Sequence, residues 1–318
     1  MPTPPVPAVS VLVPAYRCAA FIADALLSLQ AQTMPDWEAI VVDDGSPDDL
    51  LGAMAPFACD SRIRLIRTAN LGVSAARNRA LEDARAPLIA LLDGDDIYLP
   101  DYLAVMTQAI AANPDIGFVT CDAIYFGNAK LNGLSFSSVS PQALPATLDR
   151  VLTRQFNVFT ACMLKAAALR SVGGWSNDLQ SAEDLDLWIR LLENSWACGV
   201  VPQALHRYRR RPDSLSAARL PLLRAVAAVY DNAVQRLTGR PECETALAMR
   251  KSIESEIAFE CGEALVMAGR VREGIDELRR AAPRTQTPVW RAALIGMRIA
   301  PRLAPRFMRW RMETAARG

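Results

Sequence analysis

Short apolar runs of strand length, each followed by a turn and then an amphipathic stretch, constrain this chain most. Val9-Ser10-Val11-Leu12-Val13, Trp37 to Val42, Arg62 to Arg67 and Pro87 to Leu92 read as four successive strands. The first is expected to stop at Pro14, which has no N–H to give a central ladder. Ile22, Leu26 and Leu29 recur at helical spacing and predict a helix over 20–31, and Val73 to Ala84 predicts another. Ser46 before Pro47 reads as a helix start, with Ser as the cap and Pro in the first turn. Strand and helix alternate throughout, which predicts an α/β fold built on a mostly parallel, doubly wound sheet.

The fourth strand runs into Leu92-Asp93-Gly94-Asp95-Asp96, three carboxylates around one glycine. Carboxylates so close repel one another unless a cation or good hydrogen bonds compensate. Mg²⁺ or Mn²⁺, held by one or two carboxylates and completed by phosphate oxygens, would do so. The plainer alternative is an Asp-Gly turn whose neighbours cap the next helix.

The totals remove other possibilities. The 318 residues are 51% hydrophobic, enough for one or two domains, and the net charge of +1 gives no field that would favour nucleic acid. The first residues lack the basic and apolar regions of a signal peptide, and no apolar stretch reaches the ~18 residues of a membrane span. Seven scattered cysteines without a Cys-x-x-Cys pair suit small buried hydrophobes in a reducing compartment, so a cytoplasmic protein is expected. His206 is the only histidine, which excludes a multi-histidine zinc site. Neither a Gly-x-x-x-x-Gly-Lys loop, a Gly-x-Gly-x-x-Gly turn nor a Gly-x-Ser-x-Gly elbow occurs.

In a doubly wound sheet ligands bind beyond the carboxyl ends of the strands. Tyr16, Asp43, Asp44 and Asp93 to Asp96 all fall there, with a basic helix carrying Arg77 and Arg79 on the same rim. An aromatic plane stacks a base, a carboxylate accepts hydrogen bonds from a base or ribose, and a metal with arginines suits a diphosphate. Taken singly, Tyr16 could cover the core, Asp44 could form an Asx turn and Arg77 could be a solvated charge. Together they suggest a nucleotide diphosphate.

Val-Pro-Ala-Tyr at 13–16, Val-Asp-Asp-Gly-Ser at 42–46, Asn70-Leu71-Gly72-Val73-Ser74-Ala75-Ala76-Arg77-Asn78 and Leu92 to Asp96 resemble, in this order, the motifs of the family 2 glycosyltransferases. The resemblance spans roughly the first two-thirds of the chain. It implies a GT-A fold and sugar transfer from a nucleotide-diphosphate donor. It further implies Pro14 and Tyr16 at the base pocket, Asp44 on the base, and Gly72 and Arg77 in nucleotide-sugar binding. Asp93 would lie near ribose and metal, Asp95 would be the main metal ligand and Asp96 a lesser contributor. Arg17 stands where the family often has Asn.

Farther on, Ile116 to Cys121 and Phe159 to Leu164 read as strands, Ala166 to Ser171 as a short helix, and 127–147 as a loop or lid. Leu185, Trp188, Ile189 and Leu192 share one face of a helix from about Leu185 onward, with Glu183 and Asp184 at its positive end. Ser181-x-x-Asp184 could be a capping box and nothing more. Alternatively, a carboxylate here could take the proton of an acceptor hydroxyl as it attacks an anomeric carbon. Glu-Asp-Leu-x-Leu-Trp-x-Arg-Leu resembles the family's acceptor-side motif. That resemblance makes Asp184 the base and gives Glu183 a role in binding acceptor or donor sugar; which of the two abstracts the proton stays open. Arg211 replaces the His that many relatives carry before Pro-x-Ser, and an Arg can pair with phosphate. His206 is expected to pack or hydrogen-bond beside a strand.

From Leu220 the pattern turns helical, and Gly262, Leu265, Gly269, Gly274, Leu278 and Ala281 suggest a helical hairpin. The tail, with Trp290, Phe307, Trp310 and several arginines, reads either as a membrane-interface segment or as a docked terminal helix. The expectation is therefore a catalytic domain over 1–218 and a helical region over 219–318. The activity expected is metal-dependent (Mn²⁺ or Mg²⁺), inverting transfer from a nucleotide-sugar, UDP-linked, to a saccharide or lipid-linked acceptor. Such an enzyme would serve cell-surface polysaccharide or glycoconjugate synthesis, in the cytoplasm or peripheral on the inner face of the membrane. The alternatives are a sugar-phosphate nucleotidyltransferase, whose Gly-rich loop after the first strand is missing, and an inactive scaffold, against which Asp95 and Asp184 argue.

Overall fold

The computed structural model describes residues 6–211, 218–282 and 284–315. The chain divides into two compact units, residues 1–217 and 218–318. In the first unit, strands β1 (Val9–Ala15), β2 (Trp37–Asp44), β3 (Ile63–Thr68) and β4 (Leu88–Leu91) alternate with helices α1 (Ile22–Gln30), α2 (Leu50–Met54) and α3 (Val73–Asp83). The chain continues through β5 (Ile97–Tyr98), α4 (Tyr102–Ala111), β6 (Ile116–Phe126), α5 (Phe136–Val139) and α6 (Leu148–Leu152). It then passes through β7 (Cys162–Lys165), α7 (Ala166–Ser171), α8 (Glu183–Glu193) and β8 (Ala197–Arg209).

These strands form one eight-stranded sheet in the order β3-β2-β1-β4-β7-β6-β8-β5. β1 to β4 are mutually parallel, β6 and β8 are parallel to each other, and only β7 and β5 run against their neighbours. β1 and β2 are buried along almost their whole length, as their unbroken apolar runs require. β3, at the edge, alternates Ile63, Leu65 and Ile66 with Arg64 and Arg67, charges that discourage pairing with a further chain.

Several boundaries differ from the sequence reading, each for a local reason. β1 runs through Pro14 to Ala15. Ladder pairing with β4 ends at Leu12↔Leu91, and Pro14 lies past it, its carbonyl accepting the Gly94 N–H at 3.2 Å. No ladder bond is lost by its missing N–H. Ser46 does not start a helix: α2 begins at Leu50, capped by Asp49, which accepts the Gly52 N–H at 2.9 Å. Instead the Ser46 hydroxyl accepts the Arg17 N–H at 2.7 Å. β6 extends to Phe126, and residues 127–147 include α5 rather than being loop throughout. The last strand before α7 begins at Cys162, not Phe159. His206 lies inside β8, not beside it. Of the seven unpaired cysteines, Cys18, Cys121 and Cys162 are buried while Cys59 is exposed.

The second unit is all-helical: α9 (Arg219–Arg236), α10 (Glu242–Met267), α11 (Val271–Arg280), α12 (Pro288–Ile299) and α13 (Ala304–Ala315). The hairpin of α10 and α11 closes on two glycines. A Cβ on Gly274 would stand 2.8 Å from the Gly262 carbonyl oxygen and 2.6 Å from Val266 Cγ2, so only glycine permits this approach. Phe259, Val266, Ile275, Leu278, Leu294 and Met308 form its core. Among the described residues no helix is long and apolar enough to cross a membrane.

Candidate active site

The site lies past the carboxyl ends of β1, β2 and β4, where three loops are tied together. Gly94 admits the acidic turn to the first loop: a Cβ there would meet Cys18 Sγ at 2.8 Å and the Pro14 carbonyl oxygen at 3.1 Å. The first and second loops join through Arg17 N–H to Ser46 Oγ at 2.7 Å and Ala19 N–H to Asp48 Oδ2 at 2.8 Å. Tyr16 stands on this rim 40% exposed, with the Arg17 guanidinium 5.4 Å from its ring centroid. Asp44 is buried, and its two oxygens accept the Leu71 and Gly72 N–H groups at 2.8 and 2.9 Å. Asp44 thereby anchors the Asn70-Leu71-Gly72 turn, and Gly72 takes φ +93° as that turn enters α3.

α3 then delivers Arg77. Ser74, Arg77, Ala80 and Leu81 share its buried face, so the guanidinium points inward and is only 2% exposed. Its Nη2 donates to Asp93 Oδ1 at 2.9 Å, and its Nη1 to Glu183 Oε1 at 2.9 Å and Asp184 Oδ1 at 2.8 Å. Arg77 is thus engaged by carboxylates of both acidic segments rather than open to a diphosphate. Burial opposes its charge, but Asp184, Asp93 and Glu183 outweigh burial and hold its pKa above the ordinary value. The next residue, Asn78, donates to the Trp175 carbonyl at 2.8 Å and accepts the Trp175 N–H at 2.9 Å. That fixes Trp175, whose indole N–H donates to Asp184 Oδ1 at 3.3 Å.

The helix expected from Leu185 begins at Glu183, and its cap residue is Ala182 in the left-handed region at φ +58°. No side chain caps it, so Ser181 and Asp184 do not form a capping box. Asp184 Oδ1 takes both donors, Arg77 and Trp175, while Oδ2 carries no hydrogen bond among the described residues. Burial, then Glu183 and Asp93 repulsion, raise the Asp184 pKa against the pull of Arg77.

On the other side of Arg77, Asp95 meets the Arg211 guanidinium at 3.4 Å. Arg211 also donates to the Arg17 carbonyl at 3.0 Å, closing the rim over the first loop. The Pro212 to Ser216 stretch that follows lies outside the described residues. Burial, followed by repulsion from Asp96 and Asp93, pushes the Asp95 carboxyl up to about 7. Asp96 faces inward instead: it is 1% exposed and accepts from the Arg209 N–H at 2.7 Å, with His206 Nε2 at 2.9 Å. Its carboxylate fastens β8 to the turn, which leaves Asp93 and Asp95 as the outward pair.

These two fit a hard divalent cation. They offer only oxygen, and among the described residues the ion-pair partners of Asp93, Asp95, Glu183 and Asp184 are the Arg77 and Arg211 guanidiniums. The remaining two negative charges match one divalent ion. Among the described residues no three His, Cys, Asp or Glu side chains form a metal cage, so the remaining ligands of such an ion would be substrate oxygens and water.

The sequence reading placed Tyr16, Asp44, Arg77 and Asp93 to Asp96 on one rim and treated Glu183 and Asp184 as a second focus; Arg77 bonds to Asp93, Glu183 and Asp184, and Arg211 meets Asp95. It missed Trp175 and Asn78, read only as part of a turn and of a motif. It also missed the pairing of Arg77 with carboxylates, although the place of Arg77 among apolar neighbours on α3 was readable.

For a sheet with this acidic rim, similarity to known proteins gives the family. The pattern described as Glycosyl transferase family 2 matches residues 10–172, and the chain belongs to that family. It is 31% identical over 221 residues to protein y4gI of Sinorhizobium fredii, covering 67% of this chain but 23% of y4gI. It is 28% identical over 224 residues to the UDP-Glc:alpha-D-GlcNAc-diphosphoundecaprenol beta-1,3-glucosyltransferase WfgD of Escherichia coli, covering 68% of this chain and 82% of WfgD. The fold is of GT-A type and superimposes on TarS 1-349 of S. aureus with a TM-score of 0.63, at 18% identity, over 96% of this chain and 91% of that one. TarS has also been crystallised with UDP-GlcNAc and with UDP. The mannosyltransferase PcManGT of Pyrobaculum calidifontis, in complex with GDP-Man and Mn²⁺, gives a TM-score of 0.60 at 20% identity, over 98% and 85% of the two chains.

Proposed function

We propose that this chain transfers a sugar from a UDP-linked donor to a hydroxyl of a saccharide or lipid-linked acceptor, with inversion at the anomeric carbon, in cell-surface polysaccharide or glycoconjugate synthesis. One observation carries the reading: a single buried guanidinium, Arg77, joins Asp93 of the acidic turn to Asp184 at the start of α8. Candidate donor side and candidate base are held by one rigid group. The TarS complexes support the nucleotide, and the name of WfgD supports a diphosphoundecaprenol-linked acceptor.

In this reading the base of the donor stacks on Tyr16 beside Pro14, with Asp44 and Gly72 shaping the floor of the pocket. Asp93 and Asp95 would hold Mn²⁺ or Mg²⁺, whose charge supports the departing diphosphate. Arg211 reaches the same phosphates from the end of β8. Asp184 Oδ2 takes the proton of the acceptor hydroxyl as its oxygen bonds to the anomeric carbon. The bond from that carbon to the diphosphate breaks on the opposite face, and the electron pair leaves with the diphosphate. Glu183 binds acceptor or donor sugar, and Arg77 positions Asp184 without touching substrate.

The test is thermal stability against nucleoside diphosphates and nucleotide-sugars, with and without Mn²⁺, followed by transfer assays on the ligands that bind. A ligand of the native state raises the melting temperature according to RT ln(1 + [L]/Kd). A metal-dependent shift with UDP and UDP-sugars is expected; a shift with none of them, in folded protein, defeats the reading.

A further inference from the structure

The second unit carries a surface that the transfer reaction does not use. From Ala281 to Arg311 the sequence holds seven arginines and no Asp, Glu or Lys. α12 and α13 each bury one side in the helical core, through Leu294 and Met297 on α12 and Ala304 and Met308 on α13. The opposite side of α12 presents Ile295 (60% exposed) and Ile299 (79%), one helical turn apart, flanked by exposed Arg291 and Arg298. The exposed arc of α13 and of the turn before it holds Arg302, Leu303 (54%), Arg306, Arg309 and Trp310 (61%). The turn at Pro301–Leu303 joins the two helices. Two isoleucines one turn apart, a leucine and an indole in water are costly for a soluble face, and the exposed charged residues described among them are arginines.

We propose that this α12–α13 surface docks the chain on an anionic lipid bilayer. Ile295, Ile299, Leu303 and Trp310 enter the interface, and the arginines pair with headgroup phosphates. A soluble polyanion would explain the arginines but not the apolar residues between them; a second copy of the chain would bring arginine against arginine. Because both helices are pinned by their buried sides, the surface exists before binding and needs no coupled folding. The proposal is independent of the transfer chemistry.

The experiment is co-sedimentation of the full chain with vesicles of phosphatidylcholine alone or containing about one-third phosphatidylglycerol, and with heparin as a competitor. Binding to the anionic vesicles only is expected, weakening with salt. Replacing Arg302, Arg306 and Arg309 by Gln should weaken it roughly fivefold per residue. The Ile295→Ser, Ile299→Ser pair should weaken it by about tenfold or more. All five side chains are exposed, so melting temperatures should not move. In the unaltered chain, a blue shift of tryptophan emission on vesicle addition, absent in Trp310→Phe, reads insertion without touching the charges. Failure to sediment with anionic vesicles overturns the proposal. So does unchanged binding by the isoleucine variant together with full displacement by heparin, which would identify a polyanion site.

Discussion

The two ends of the sheet treat buried carboxylates in opposite ways. At the amino end, Glu38 near the start of β2 is 2% exposed and fully partnered. Its Oε1 accepts from Ser10 Oγ at 2.7 Å and the Arg85 N–H at 3.0 Å, and its Oε2 from Arg64 at 3.2 Å and Arg85 Nη2 at 2.8 Å. Burial alone would raise its pKa, but the Ser10 and Arg85 hydrogen bonds outweigh burial and lower it. At the carboxyl end, four carboxylates share two guanidiniums, and the Asp95 and Asp184 pKa values are raised. One set is closed upon itself, while the other keeps charge that the fold does not satisfy. Unsatisfied charge is what a ligand can use, so the difference marks which end is structural and which is chemical.

The sharpest break in that comparison is Asp184→Asn. It keeps the bonds to Oδ1 but removes the proton acceptor, so transfer should fall by about 10²–10⁴-fold while nucleotide binding persists. Near-normal turnover would return Asp184 to a structural role. Asp184 must also be ionised to act, so in the unaltered enzyme the acidic limb of the rate profile should lie above the ordinary carboxylate range. A limb near pH 4 would contradict the raised pKa. Asp95→Asn should weaken Mn²⁺-dependent donor binding by on the order of 100-fold, measured by titration.

The same variant separates the two ends by stability. In metal-free protein the folded state holds the Asp95 proton up to about pH 7, whereas the unfolded chain releases it near 3.8. Between those values the folded state binds more protons, so this group's contribution falls as pH rises. Asp95→Asn should therefore stabilise the metal-free protein at neutral pH, by about 1–2 kcal/mol in denaturant unfolding. Glu38→Gln should do the reverse, destabilising by about 1–3 kcal/mol with unchanged transfer, because it removes the buried charge that accepts from Ser10, Arg64 and Arg85. If both variants shifted stability in the same direction, the contrast between the ends would be lost.

The strand runs showed the sheet, because strands covered on both faces must be apolar throughout, and the acidic turn showed the rim. Roles that depend on who faces whom were harder to read. Ser46-Pro47 has the composition of a helix start, yet the Ser46 hydroxyl is taken by the Arg17 N–H and the helix waits for Asp49. Asp96 sits next to Asp95 in sequence but turns inward to His206 and the Arg209 N–H, since consecutive residues of a turn point apart. Trp175 became part of the site through Asn78, a contact across 97 residues that no local pattern encodes.

The smallest expected effect tests whether satisfaction or mere pairing matters. Arg67 on edge strand β3 meets Asp43 Oδ2 at 3.2 Å, but its side chain is 66% exposed. Asp43 is independently held, its Oδ1 accepting the Ser46 N–H at 2.8 Å. An exposed pair of this kind contributes little, because water and salt screen it and the long side chain loses rotamer freedom. Arg67→Gln should thus change unfolding free energy by less than about 0.5 kcal/mol and leave donor binding intact. A loss as large as that of Glu38→Gln would mean that Arg67 props the second loop through Asp43, and the boundary of the chemical end would then have to be drawn to include β3.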